Sequence, residues 1–423
     1  MFVLLKSFIS QEHLSAVKGV VMHYVCSSKL FLSQKKRMSY DKTVLEKFIS
    51  ISDPGYHIFR GYYDIDYLVK QGDYFLCHRL PIGAKNNHNA SCEIGYYDLN
   101  DGKFYKIANS NAWCWQQGCR LRWIDNENVV FNDVGEIEYC SKVVRAKDGV
   151  QLRQINWPLY DVTPDFHFGL TLNFSRLQRL RPGYGYNYFP DYTQKKNAPD
   201  DDGVFIVDIN ANKRRILYTL KELAEKIGHG GDYVHYVNHI SVAPDGTRFI
   251  FFHIYCKPGV KGWNTILYVS DLAGEKLEVL EREDRVSHYC WIDSDNIMVT
   301  CHKENGEEYY CVFQISSGEK KIIEIPELCV DGHPCKINEN GLFLTDTYPM
   351  ENSVQNLRIF NTVTGETQMI GSFYHDFRLR GEVRCDLHPS FGKNRKYISV
   401  DTTYQGKRRS IEIFQLRSGK ING

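Results

Sequence analysis

Beyond about residue 56 the chain alternates apolar and polar positions in short runs, separated by polar turns rich in Asp, Asn and Gly. A period of two marks half-buried strands, and Val, Ile and Tyr dominate the apolar positions, as strands prefer. The segments IGYYDLNDGKFYKI, GVFIVDINANKRRILYTL, ILYVSDLAGEKLEVL, YYCVFQISSGEKKIIEI, LRIFNTVTGETQMI and SIEIFQLRSG each read as a hairpin. A strand, a turn such as Pro244-Asp245-Gly246 and an apolar run make up the other half of each unit. These first halves fall near residues 56–78, 118–132 and 159–173, then at four places marked by a histidine. The spacing is that of a four-stranded propeller blade. The expected fold is therefore all-β, a single seven-bladed β-propeller over residues 38–423. Its last strand, residues 411–416, should close the ring by pairing within the blade that the N-terminal strands begin, which removes exposed sheet edges.

Three stretches depart from this pattern. Residues 219–227 place Leu220, Leu223, Ala224 and Ile227 on one helical face with charges opposite, and Gly228 follows as a stop. Residues 176–202 carry RLQRLRPGYGYNYFPD and PDDDG, an irregular stretch whose aromatics and arginines suit a lid or binding loop. Residues 1–37 hold short apolar runs broken by Lys6, Glu12, His13 and Lys18, and end in Lys35-Lys36-Arg37. No run there reaches the roughly 18 to 20 residues of a membrane span, and no compact apolar core with a cleavage site marks a signal peptide. This part reads as a loosely attached N-terminal extension, helical or disordered.

Composition narrows the function. With 52 basic against 51 acidic residues, the chain lacks the footprint of a nucleic-acid binder or of a general membrane-surface attraction, which favours a small polar ligand. The thirteen cysteines are scattered singly, mostly inside apolar runs, as buried free thiols of a reducing compartment such as the cytoplasm would be. Cys114 and Cys119 have no second pair at zinc-ligand spacing.

The candidate chemistry lies in the four repeated histidines, His239, His288, His333 and His388, at intervals of 49, 45 and 55 residues. Each precedes its blade's inner apolar run by a similar number of residues, so ring geometry should carry all four to one mouth of the central channel. A metal or acid/base site is the reading that follows; structural fastening of the blades is the other. Gln117 holds a comparable place in an earlier blade. Asp386, two residues before His388, should point to the same side because strand side chains alternate.

With their PDG-like turns and the LHPSF motif, the histidine repeats resemble the oligogalacturonate lyase family, seven-bladed propellers related to TolB-type repeats. The stretches VNHIS, VSHYCW, GHP with TDTYP, and RCDLHP bring the chain nearer to uncharacterised bacterial relatives found among surface-polysaccharide biosynthesis proteins. The resemblance covers roughly residues 230 to 415 and implies a manganese ion held by histidines of the last blades, with β-elimination at 4-linked uronates. Carried onto this chain, it makes His333 and His388 metal ligands and His288 the catalytic histidine. The family's further histidine ligand becomes Asp386, still an acceptable donor to a hard divalent ion. Its glutamine ligand falls on Val383, so Glu382 is the substitute. Its substrate arginine falls near Thr265, so Arg384, Arg378 or Arg380 must supply the charge.

The chemistry asks for such groups: abstracting a proton at C5 of a uronate builds negative charge, which a divalent cation or arginine stabilises while a base sits on the correct face. His288 is the expected base, His239 its alternative or a carboxylate-orienting donor, and Trp291, Tyr348, Tyr184 and Tyr186 the surfaces that pack on sugar rings. The competing expectation is a non-catalytic propeller that binds a polysaccharide or a partner enzyme in surface-polysaccharide assembly.

Overall fold

In the computed structural model the chain is described over residues 37–417, apart from 70, 72, 85–89, 261, 351 and 393–395. Among the described residues the strands form seven antiparallel sheets arranged as successive blades. Four blades lie wholly within residues 56–110, 122–155, 161–219 and 234–281, and a fifth within 285–322; the sixth spans 335–374 and the seventh 390–416.

Burial within a blade explains its sequence. Val234–Val242 lines the channel, and Arg248–Cys256 and Asn264–Asp271 behind it are covered on both faces by neighbouring blades, so RFIFFHIYC runs apolar without alternation. The outer strand Leu277–Glu281 is largely exposed and accordingly carries glutamates.

Ring closure follows the expected scheme. Leu45–Ile51 pairs antiparallel with Ser410–Leu416, Leu45 opposite Leu416 and Ile51 opposite Ile411, and completes the seventh blade. Met38–Tyr40 adds an unforeseen fifth strand to the sixth blade, Met38 opposite Phe373. The entering segment thus caps two sheet edges. Expectations for the extension fall on residues 1–36, outside the described residues.

A buried arginine reinforces the closure. Arg60, leaving the first blade's inner strand, donates from Nε to Asp401 Oδ1 at 3.0 Å, from one terminal nitrogen to Ser399 Oγ at 2.8 Å, and from the other to the Leu387 carbonyl at 3.0 Å and the His388 carbonyl. The middle of the channel is filled by Tyr62, Tyr160, Tyr289 and a buried Asp64–Arg120 pair at 2.8 Å.

Among the described residues two short α-helices interrupt the sheets. Leu220–Lys226 is the expected one: Thr219 and Glu222 form a reciprocal capping box, and Leu220, Leu223 and Ala224 are buried. Phe174–Leu180 corrects the reading of residues 176–202 as irregular from their start. Asn173 caps this helix, and its buried Arg176 gives its guanidinium to the carbonyls of His235, Lys196 and Asn197. Such a role hides an arginine in a core, which no amphipathic pattern shows. Every described cysteine is free, and no described helix is long and apolar enough to cross a membrane.

Because Arg60 and Asp401 are both about 1% exposed, Arg60→Met should leave an uncompensated buried carboxylate and lower unfolding free energy by about 3–5 kcal/mol. Denaturant titration of the variant against the parent chain measures this.

Candidate functional site

Local irregularities, not regular strands, aim the four histidines. His239 sits at a register shift between Asn238 and Ser241, with φ at 51°. His288 follows a shift between Val286 and His288. His333 precedes the two-residue strand Cys335–Lys336, and His388, with φ at 45°, precedes Ser390–Phe391. Bulges re-aim side chains, and left-handed backbone at a non-glycine residue persists where surrounding contacts fix it. The rings form an arc: centroids are 6.4 Å apart for His239 and His288, 4.0 Å for His288 and His333, and 4.4 Å for His333 and His388. Tyr62 and Tyr63 pack against the arc from the first blade.

His333, Asp386 and His388 each turn a ligating atom to within 4.8 Å of the others. Asp346, at the end of strand Leu342–Asp346, ties two of them down. Its Oδ1 accepts the His333 backbone N–H and Nδ1, both at 2.8 Å, and its Oδ2 accepts the His388 backbone N–H at 3.0 Å. His388 Nδ1 lies 3.1 Å from the Gly61 carbonyl and must donate to it. Both imidazoles therefore carry a proton on Nδ1, which makes Nε2 the atom left to bind a metal, and that of His388 is buried with no partner. Burial, followed by neighbouring His333, pushes the His388 pKa well below its usual value, which keeps the ring neutral. Burial also pulls His333 down, but Asp346 outweighs it and the net shift is upward. A carboxylate behind a histidine fixes its tautomer and raises its basicity as a ligand.

Arg384 grips Asp386 in bidentate fashion, Nε at 2.8 Å from Oδ1 and a terminal nitrogen at 2.7 Å from Oδ2. Although burial opposes it, this guanidinium holds the Asp386 carboxyl well below the usual carboxylate range. Two imidazole nitrogens and one ionised carboxylate suit a first-row divalent ion and leave further coordination positions open. The residues present fit the metal that the sequence resemblance implies.

Beside this triplet lies a cavity of about 310 Å³, lined by His239, His288, Tyr348, Arg384 and a group of residues outside the histidine repeats. His288 Nδ1 stands 2.9 Å from Asp331 Oδ1, and its Nε2 stands 3.3 Å from the Tyr348 hydroxyl. Burial lowers the His288 pKa and Asp331 partly offsets it. Burial also raises the Tyr348 phenol well above its usual value, so it stays protonated.

The cavity wall is cationic and aromatic. The Arg181 guanidinium lies 4.2 Å from the Trp263 ring centre and 5.2 Å from that of Tyr184; Arg285 approaches Trp263 from 4.9 Å, and Arg384 stacks on Tyr348 at 4.7 Å. Among the described residues neither Arg181 nor Arg285 has an ion-pair partner, and Arg285 Nε is buried without a hydrogen bond. Aromatic faces hold these cations while leaving their charge uncompensated.

The ring therefore assembles His239, His288, His333, His388, Asp386, Arg384, Tyr184 and Tyr348 at one mouth, and it corrects four other expectations. Trp291 lies three residues beyond His288 along the inner strand, roughly 10 Å toward the other mouth. There it lines a separate cavity of about 630 Å³ and its indole donates to Ser241 Oγ at 3.1 Å. Tyr186 is buried against Phe174 and its hydroxyl accepts from Asn132, so it braces the fold. Gln117 is buried in the channel, where it donates to the Tyr160 hydroxyl that accepts the His239 N–H. Glu382 stands outside the metal triplet and accepts from Gln178.

Arg378 pairs with Asp376, and Arg380 turns back onto the Phe377 carbonyl; neither lines the cavity. Of the three arginines expected to supply the charge, Arg384 lines the cavity, and it is joined there by Arg181 and Arg285, which the sequence reading missed. Asp331 and Asp346 were also missed, although Asp331-Gly332-His333 repeats the spacing of Asp386-Leu387-His388.

No protein-family model and no curated protein match the sequence. Among solved structures the fold is similar to an oligogalacturonate lyase in complex with manganese, at 13% identity and TM-score 0.61, over 91% of this chain and 98% of that one. It is also similar to oligogalacturonate lyase from Vibrio parahaemolyticus, at 12% identity and TM-score 0.60, over 91% and 99%. At these identities the likeness establishes the seven-bladed fold.

Since Asp346 orients both histidines, Asp346→Asn should weaken binding of a divalent ion by about 10–100-fold. Calorimetric titration of parent and variant with manganese chloride measures the change.

Proposed function

We propose that the chain is a divalent-metal-dependent lyase or closely related enzyme acting on an acidic, uronate-containing oligosaccharide. The observation that carries this reading is the meeting, at one channel mouth, of a histidine base, a two-histidine and one-carboxylate triplet, and guanidiniums without carboxylate partners.

A bound ion, manganese in the reading offered, would be held by His333, Asp386 and His388 and would stabilise negative charge developing on the substrate carboxylate. The chain's own residues supply the rest. Arg181 and Arg285 attract and orient the anionic ligand, Trp263 and Tyr184 offer flat apolar surfaces to a sugar ring, and Arg384 holds Asp386 ionised. His288 takes the C5 proton on Nε2. The electron pair of that C–H bond forms the C4–C5 double bond as the C4–O bond breaks, and the departing oxygen gains a proton. Tyr348 is the nearest phenol to this path and is protonated at neutral pH. His239 lines the same cavity and is kept neutral by burial, so its imidazole is suited to donate to a substrate oxygen.

Uronate oligomers incubated with the chain and manganese should yield a product absorbing in the ultraviolet. His288→Ala should reduce kcat by about 10²–10⁴-fold, whereas Arg181→Ala should chiefly raise KM. Binding of varied uronates without turnover of any would contradict the lyase and support a non-catalytic carbohydrate-binding propeller.

A further inference from the structure

His288 belongs to a closed polar circuit that the elimination chemistry above does not require. Asp331 Oδ1, 2.9 Å from His288 Nδ1, also accepts the Ser287 hydroxyl at 2.7 Å. Asp331 Oδ2 lies 3.2 Å from His302 Nε2, and His302 Nδ1 lies 3.0 Å from Glu308 Oε1. Glu308 Oε2 then accepts the backbone N–H of Asp331 at 2.6 Å. Thr300 Oγ1 accepts the His288 backbone N–H at 3.0 Å and lies 2.7 Å from Ser287 Oγ. His288, Ser287, His302 and Glu308 belong to the fifth blade, and Asp331 reaches across from the approach to the sixth.

The charges in this circuit can be assigned. His302 has a carboxylate at each ring nitrogen. Burial works against its protonation, but Asp331 and Glu308 overcome this and move its pKa up to about 9. At neutral pH it is an imidazolium between two anions. Its Nε2 lies 3.0 Å from Ser287 Oγ, which itself donates to Asp331, and 3.2 Å from Asp331 Oδ2, so it holds that carboxylate both directly and through the hydroxyl. An ionised carboxylate can only accept, so a neutral His288 facing it must carry its proton on Nδ1. Cross-linking two blades does not demand this arrangement, because a buried ion network is seldom more stable than an apolar replacement of similar shape.

We propose that Asp331, clamped by His302 and Glu308, is a positioning residue that fixes His288 as the Nδ1–H tautomer and leaves its Nε2 lone pair facing the cavity. The use of that lone pair on substrate rests on the proposed lyase function; the tautomer does not.

The test is ¹⁵N imidazole spectroscopy of the full chain with magnesium present, the His288 signal being identified by its loss in His288→Gln. Parent chain should show Nδ1 protonated and Nε2 bare. Asp331→Asn, whose amide can donate to Nδ1, should shift His288 toward the Nε2–H form. With uronate oligomers it should lower kcat by about 100-fold or more while KM stays within a few-fold. A His288 protonated on Nε2 in the parent chain overturns the proposal, and needs no variant of the circuit to fold. The expected spectra without turnover of any uronate would uphold the positioning role and remove the lyase reading.

Discussion

The contact between the first blade and the last is the constraint on which the site depends. Leu45–Ile51 locks the seventh blade into register, and Arg60 ties the first blade's exit to Asp401 and to the carbonyls of Leu387 and His388. The next residues along the chain finish the site. The Gly61 carbonyl sets the His388 tautomer, and Tyr62 and Tyr63 pack against the imidazoles. Gly61 has φ at 117°, and a Cβ there would lie 2.7 Å from the Tyr67 hydroxyl, so the close approach needs glycine. A ring left open at this seam would free the sixth and seventh blades and separate the His333–Asp386–His388 triplet.

Electrostatic division of labour follows from this geometry. Carboxylates behind the histidines accept protons at Nδ1: Asp346 for His333 and Asp331 for His288. That leaves Nε2 as the ring nitrogen free of a carboxylate in each, with that of His288 beside the Tyr348 hydroxyl. Burial keeps His388 and His239 neutral, while Arg384 keeps Asp386 ionised. The surplus of positive charge sits on the cavity wall, where Trp263 and Tyr184 support Arg181 and Arg285 through ring faces rather than carboxylates. Such an arrangement suits an anionic ligand.

The fold was almost wholly legible in the sequence, because alternating strands and recurrent turns repeat one unit whose edges must be covered. The convergence of the histidines was legible for the same reason: a residue at equivalent positions of successive blades returns to the same axis. Depth along the channel was not. Trp291 and His288 share a strand, yet three residues of rise send them to opposite mouths. Burial of Tyr186 and Gln117 is set by partners far away in sequence, Phe174 and Tyr160, so local pattern gave no warning. Arg181, Trp263 and Arg285 belong to no repeated motif, and only assembly shows them stacked around one another. Asp331 had a visible signal in the spacing it shares with Asp386.

The central claim is that ring closure brings His333, Asp386 and His388 close enough to share one cation. Anomalous diffraction from crystals of the full chain grown with manganese measures this most directly. The account predicts a single strong peak about 2.0–2.3 Å from His333 Nε2, His388 Nε2 and an Asp386 oxygen. Absence of a peak among these three side chains, with the ion held elsewhere or not at all, would contradict it.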